Sequence, residues 1–426
     1  MIARPSALNL SLVTLVGWAL FLGVLTGRAE LMVAAVPLAV TLAVGRRWAA
    51  PAGGWRLTRQ ISADRLMEGE RATITVTLRS ARPLPLVELL QPLPPQVWTE
   101  RGRHHAFFSV RAGEEIRWSF EVACAGRRHL RLDDLHLRVW EPLGLAAAET
   151  RQRDTQVEVA VYPAVTPLRR PPRPLRTQTS VGNHVSRAQG EGLEPGDIRR
   201  FAPGDQVRHV NWRATLRLGA LHVTQHHPER NADIVLLLDT LADIGPPGAS
   251  ALDHTVRGAA SLAAAYLARK DRVGLVEYGG ILRQVKPAAG RVQWERLLDT
   301  LARASVVFTY VTRDLEVLPP RVLPPQSLVI ALSPLLDGRF VKAVGDLTAR
   351  GFDVLVVAVS PVAAGRAMLR GGAVVDLAAR LWALERRAYL DELRRSGLTV
   401  IEWDGVEPLE AALAGWQRPR LRGVRA

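Results

Sequence analysis

One cysteine, Cys124, and three lysines, Lys270, Lys286 and Lys342, are all that 426 residues hold of those two types. A lone thiol excludes an internal disulfide and fits a reducing compartment. Scarce lysine beside abundant arginine, in a chain of formal charge +15, reads as compositional bias rather than a phosphate-binding surface. Nine of those fifteen charges come from two stretches without a single acid. Arg169, Arg170, Arg173, Arg176 and Arg187 fill the first; Arg418, Arg420, Arg422 and Arg425 fill the second. Aromatic residues make up only 6% and do not interleave a basic stripe, so no nucleic-acid partner is expected. A Walker A loop, a dinucleotide fingerprint and a cysteine pair are missing as well. No nucleophile stands beside an evident base, which leaves triad chemistry without its first member.

Apolar sequence, by contrast, is ample at 48%. Residues 5–27 carry no charge and are long enough to cross a hydrocarbon core of about 30 Å as a helix. Arg28 and Glu30 interrupt, and residues 31–45 are uncharged again, a short second span at ~1.5 Å per residue. The expected unit is a transmembrane hairpin over 1–50, with helices at about 7–27 and 30–47. Arg4 precedes it and Arg46, Arg47, Arg56 and Arg59 follow, while the tip holds one Arg and one Glu. That bias places both ends, and the domains beyond, on the cytoplasmic side. A cleaved signal peptide is the competing reading; a long first run, no small-x-small site and a second apolar run speak against it.

Between residues 55 and 165, short segments such as RATITVTLRS, FFSVRA, IRWSFEVACAG, HLRLDDLHLRVW and VEVAVYP alternate apolar and polar residues. Pro83, Pro85, Pro92, Pro94 and Pro95 read as breaks, and the sum is an antiparallel β-sandwich of immunoglobulin-like size. Adjacent His104 and His105 point to opposite faces of a strand, so a metal pair is not expected there. Residues 166–187, rich in Pro and Arg, read as an extended linker that can lie on acidic headgroups. From Asp233 to about 415 the pattern becomes α/β. Apolar strands DIVLLLDT, RVGLVEYG, SLVIALSP, DVLVVAVS and LTVIEWD alternate with helices at 251–270, 292–304, 338–350 and 375–396. ILRQVKP fits an antiparallel edge strand, so a mostly parallel, doubly wound sheet is expected, then a basic tail at 416–426.

The segment 188–232 separates these domains and contains EGLEPGDIRRFAPGDQVRHVNW. It combines acids, arginines, two Pro-Gly turns and a tryptophan, which suggests a compact polar network. The run Asp197-x-Arg199, Pro203-Gly204-Asp205, Arg208, Trp212, Arg213 and Arg217, followed by a strand ending in Asp239, resembles the DUF58 family of bacterial proteins. Asn211 stands where that family usually has Asp. Family members commonly accompany MoxR-type AAA+ ATPases. The resemblance therefore implies a membrane-anchored assembly scaffold rather than an enzyme, working with such an ATPase on envelope proteins. Read structurally, Asp197, Asp205, Arg208 and Arg213 form an ion-pair network on which Trp212 stacks, so that removing Trp212 costs packing. Read functionally, the same residues dock a partner or form an acid–base pair.

The strand order, with its antiparallel edge, also resembles a von Willebrand factor type A domain. That likeness implies a Mg²⁺ site at Asp239, Asp243 and Asp337, with Thr309 or Thr312 and Ser333 nearby. Leu241 falls where an oxygen ligand belongs, which leaves the site degenerate and no cofactor expected. The alternatives are a metal-dependent enzyme on that rim, or an anionic-lipid binder through the Arg-rich stretches. His222, His226 and His227 lie on an alternating segment, where four residues span about 13 Å, too far for one zinc ion.

Overall fold

The computed structural model describes residues 2–47, 54–152, 157–172, 178–179, 194–202, 205, 207, 210–227, 230–231, 233–307, 318–319 and 322–414. The chain forms two compact units, Met1–Pro163 and Ala164–Ala426.

In the first unit, a short strand Ile2–Pro5 leads into helix Ala7–Thr26, and helix Ala29–Arg47 returns. Ser6 caps the first helix through its hydroxyl, which accepts from Asn9 N at 3.1 Å, and Gly27 ends it in the left-handed region at φ 68°. This helix has no polar face: Leu10, Trp18, Phe21 and Leu25 are all exposed. Its 20 residues are long and apolar enough to cross a membrane; the apolar part of the second, Ala29–Gly45, is shorter. Strand Ile2–Pro5 pairs with Ala146–Gln152, Ser6 N donates to Leu145 O at 2.9 Å, and Gly45 lies against the Leu145 side chain. The outer ends of the hairpin therefore meet at one place.

The rest of this unit is β-rich. One sheet runs Trp55–Ile61, Ala72–Ser80, Glu115–Cys124, Val97–Arg101; another runs Ile2–Pro5, Ala146–Gln152, Leu135–Trp140, Leu84–Leu90, His105–Val110. A third holds Arg65–Met67, Val157–Tyr162 and Arg128–Leu132. Alternation in Ala72–Ser80 sends Ile74, Val76 and Leu78 into a shared core with Leu89, Phe120 and Leu137. Pro85, expected as a break, lies inside Leu84–Leu90, where a register shift between Leu84 and Val87 absorbs its missing N–H. His104 and His105 take separate partners, Thr99 and Glu88.

The second unit is built on a six-stranded sheet. Its spatial order is Arg283–Ala288, Arg272–Gly279, Asp233–Thr240, Leu328–Ser333, Asp353–Val359, Thr399–Trp403. Five strands are parallel and Arg283–Ala288 is the antiparallel edge. In chain order this reads third, second, first, fourth, fifth, sixth, the doubly wound arrangement. All eight residues of Asp233–Thr240 are buried, as a strand covered on both faces requires. Ile234, Leu236 and Leu238 pack toward helices Ala251–Ala268 and Arg291–Arg303; Val235 and Leu237 join Phe340, Val344 and Leu390 on the other side. Ser250 starts the first of these helices with a reciprocal capping box to Asp253.

The expected linker is corrected at its start. Leu168 is buried in the α/β core, Thr166 N donates to Ser261 Oγ at 2.9 Å, and Tyr266 Oη donates to Pro172 O at 2.5 Å. Residues 164–172 are thus packed along helix Ala251–Ala268 rather than free. Residues 173–177 and 180–187 of the linker and the tail 416–426 lie outside the described residues.

Gly258 of that helix faces Trp403 of the last strand, and a Cβ there would lie 2.8 Å from the indole and 3.1 Å from Leu332 Cδ2. Gly258→Val should therefore destabilise the α/β unit by about 1–3 kcal/mol through overpacking. A lower urea midpoint with an unchanged slope is the expected result.

Candidate functional site

The signature segment folds as a hairpin with a helix in its connection. Strand Glu194–Arg200 pairs antiparallel with His222–His227, and helix Trp212–Leu218 lies between them in sequence. Pro195-Gly196, expected as a turn, is inside the first strand, where the register shifts between Pro195 and Ile198. The Asp205 carboxylate accepts both Arg199 guanidinium nitrogens, at 2.7 and 2.6 Å, and Ala202 N at 2.8 Å. It closes the turn after the first strand and ties it back to that strand. Asn211 caps the helix: its Oδ1 accepts from Ala214 N at 3.0 Å, while Nδ2 donates to Thr224 Oγ1 at 3.0 Å. Either Asn or Asp supplies that capping oxygen, so the departure from the family pattern keeps the cap. Thr215 Oγ1 accepts from His222 N at 3.0 Å, and Gly219 ends the helix at φ 68°. His222 is buried against its own turn, with Nδ1 at 2.7 Å from Ala220 O.

Of the expected network, the described residues include one pair, and the expected stacking of Trp212 is corrected. Asp205 pairs with Arg199, Arg213 and Arg217 are exposed on the helix, and Trp212 is 60% exposed rather than stacked in a core. Leu216, one turn on, is 84% exposed and shares the Trp212 face. Ile198 and Val207 are exposed as well. Pro203, Gly204 and Arg208 lie outside the described residues, as does the side chain of Asp197. Composition hid this division: a Trp amid ion pairs looks like packing until its position at the first helical turn is known.

At the carboxyl ends of the first and fourth sheet strands, where the strand order reverses, Asp239 meets Ser333. Asp239 accepts from Ser333 Oγ on one oxygen and from Leu241 N, at 3.0 Å, on the other. Burial pushes its pKa up to about 7 against those two hydrogen bonds. Asp243 is spent on Ile244 N and Leu252 N. Asp337 caps helix Gly338–Ala349 and is chelated by Arg339, which holds its carboxyl below the ordinary range. Thr309 and Thr312 lie outside the described residues. Each of the three candidate carboxylates thus has another task, Leu241 offers no side-chain oxygen, and the Arg339 charge acts on both Asp337 and Asp239. These residues do not fit a divalent cation. Among the described residues, no three His, Cys, Asp or Glu side chains gather to hold a metal.

A cleft of about 670 Å³ opens at the ends of the last two strands, between Ser360, Arg366, Asp376, Arg386, Glu402 and Asp404. Two of its four arginines are engaged: Arg366 pairs with Asp376, and Arg386 with Glu402, Pro334 O and Val359 O. Exposed Arg380 and Arg387 of helix Ala373–Arg395 line its outer side.

The second unit is thus an α/β sheet with a stapled hairpin that presents an aromatic helix face. The family model described as "Protein of unknown function DUF58" matches residues 197–365, and the chain carries a DUF58 region there. An uncharacterized protein of Mycobacterium tuberculosis is 31% identical over 139 residues, 32% of this chain and 44% of that one. The uncharacterized protein YeaD of Bacillus subtilis is 22% identical over 234 residues, 54% of this chain and 57% of its own. The chain spans about half the length of these relatives. Among solved structures, the cupredoxin domain of amoB from Nitrosocaldus yellowstonii matches 26% of this chain and 88% of that one, at 9% identity and a TM-score of 0.19. That likeness carries no argument.

Two measurements check this geometry. Asp205→Ala should lower the melting temperature by a few degrees, because it frees a guanidinium and a backbone N–H together, while Trp212→Ala should leave it unchanged. Asp239 gives the second. Its folded pKa is raised above the unfolded 3.8, so the stability it contributes is whole below about 4 and is lost as pH rises to about 7. Asp239→Asn should flatten that fall relative to wild type, by an amount on the order of a few kcal/mol at pH 7.

Proposed function

We propose that this protein is a membrane-anchored interaction scaffold. Its docking element is the exposed face of helix Trp212–Leu218. The observation that carries the proposal is the contrast within the hairpin. Asp205, Arg199, Asn211 and Thr215 are spent on holding the backbone, while Trp212 and Leu216 are left outward with Arg213 and Arg217 beside them. Exposed Trp and Arg on a rigid support are the residue types that anchor protein interfaces. A catalytic site would instead converge polar groups into a pocket.

The partner we propose is a MoxR-type AAA+ ATPase, with an envelope protein as the client. Support for it comes from the family likeness in Asp197, Arg199, Asp205, Trp212 and Arg213. Apolar helix Ala7–Thr26 supports an inner-membrane anchor, and the meeting of both hairpin ends at Leu145 supports domains on one side of the bilayer. The positive flanks of the hairpin support the cytoplasmic side. The β-rich unit reads as immunoglobulin-like, and the doubly wound sheet with its antiparallel edge as a von Willebrand A-like domain whose metal site has been replaced by a hydrogen-bonded Asp239–Ser333 pair.

Affinity capture of the full-length protein from detergent-solubilised membranes, with and without nucleotide, tests this. Wild type should recover the ATPase; Trp212→Ala and Leu216→Ala should each weaken recovery by about 2 kcal/mol or more without lowering the melting temperature. Equal recovery by both variants overturns the docking face. Recovery of no ATPase by wild type overturns the partner.

A further inference from the structure

The longest helix of the α/β unit, Ala373–Arg395, carries a second exposed apolar surface, remote in sequence from the hairpin. Its inner side is set by Arg386, Leu390 and Leu393, which are buried. Its outer side holds Val374, Leu377, Leu381 and Leu384, from 56% to 81% exposed, and then exposed Ala388. Their spacing alternates three and four residues, the a and d positions of two heptads, whereas an ordinary solvent face would be polar. Asp391 falls at the next d position and ends the seam.

The flanks name the occupant. With Val374 at a, the g positions are Arg380 and Arg387, and the e positions of the following heptads are Glu385 and Glu392. All four are exposed. In a parallel, in-register pair of helices, each g residue faces the e residue of the partner's next heptad. Arg380 then meets Glu385 of a second copy, Arg387 meets Glu392, and symmetry doubles both contacts. An antiparallel pair sets g against g and e against e, which opposes arginine to arginine and glutamate to glutamate. An anionic membrane surface would have no use for the two glutamates.

We infer that helix Ala373–Arg395 is a self-association element: two copies of this chain pair through it, parallel and in register. The helix is already folded on the sheet, so pairing costs no helix nucleation. Two heptads make a small interface, well suited to chains whose concentration a membrane raises.

Ala388→Cys in the full-length protein, with Cys124→Ser removing the native thiol, tests this under mild oxidation in membranes. Parallel pairing sets the two new thiols face to face and should give a disulfide-linked dimer. Arg291→Cys, on the exposed start of helix Arg291–Arg303, gives the random-collision background. Arg380→Glu with Arg387→Glu should reduce the linked fraction roughly tenfold, about 1.4 kcal/mol spread over the cross-pairs. Adding Glu385→Arg with Glu392→Arg should restore it, since the reversed set is again complementary. These sites are exposed, and unchanged melting curves verify the fold. Linking no higher than the Arg291→Cys background overturns the inference and leaves the seam to another segment of the chain or to lipid. Linking indifferent to charge reversal overturns it as well.

Discussion

Burial of strand Asp233–Thr240 on both faces is the constraint from which the α/β unit follows. A strand with eight buried residues tolerates polar groups only at its ends or in hydrogen bonds. Its neighbours must be apolar and parallel, its helices must cover both sides, and its one buried acid beyond the first residue, Asp239, must be neutralised or partnered. Ser333 and Leu241 N supply the partners, and burial raises the pKa to about 7. What looks by position like a cation site is thereby consumed in closing the top of the sheet.

The signature hairpin follows a different economy. Its described polar residues fix a backbone. Asp205 holds the turn through Arg199 and Ala202 N, Asn211 caps the helix and reaches Thr224, and Thr215 ties the helix to His222. With the backbone so held, a first-turn tryptophan can stay outside without the segment losing its shape. Preorganised exposure of this kind lowers the entropic cost of binding. The outer helix Ala373–Arg395 repeats the logic with leucines in place of tryptophan.

Much of this was legible in the sequence, and the exceptions have physical reasons. The near-continuous apolar strands and intervening amphipathic runs placed the doubly wound sheet, its antiparallel edge and its main helices to within a few residues. Alternation found Ala72–Ser80, but not Leu84–Leu90, where Pro85 sits in a register shift and looks like a break. Pro195-Gly196 misled in the same way. The Arg199–Asp205 pair joins two residues of the signature, but charge along a chain does not say which arginine faces which acid. A tryptophan amid ion pairs suggests packing in sequence; only the geometry of a seven-residue helix turns Trp212 outward. The leucine seam of Ala373–Arg395 looks in sequence like any amphipathic helix, since sequence cannot separate a face that meets the sheet from one that does not.

Hydroxyl-radical footprinting of the intact protein tests the central claim directly, because it reads each tryptophan in the same molecule. Trp212 should be oxidised much faster than Trp403, which is 6% exposed behind helix Ala251–Ala268, and a docked partner should slow the oxidation of Trp212 alone. Equal protection of both indoles in the isolated protein would mean that Trp212 is packed, and the hairpin would then present no aromatic face.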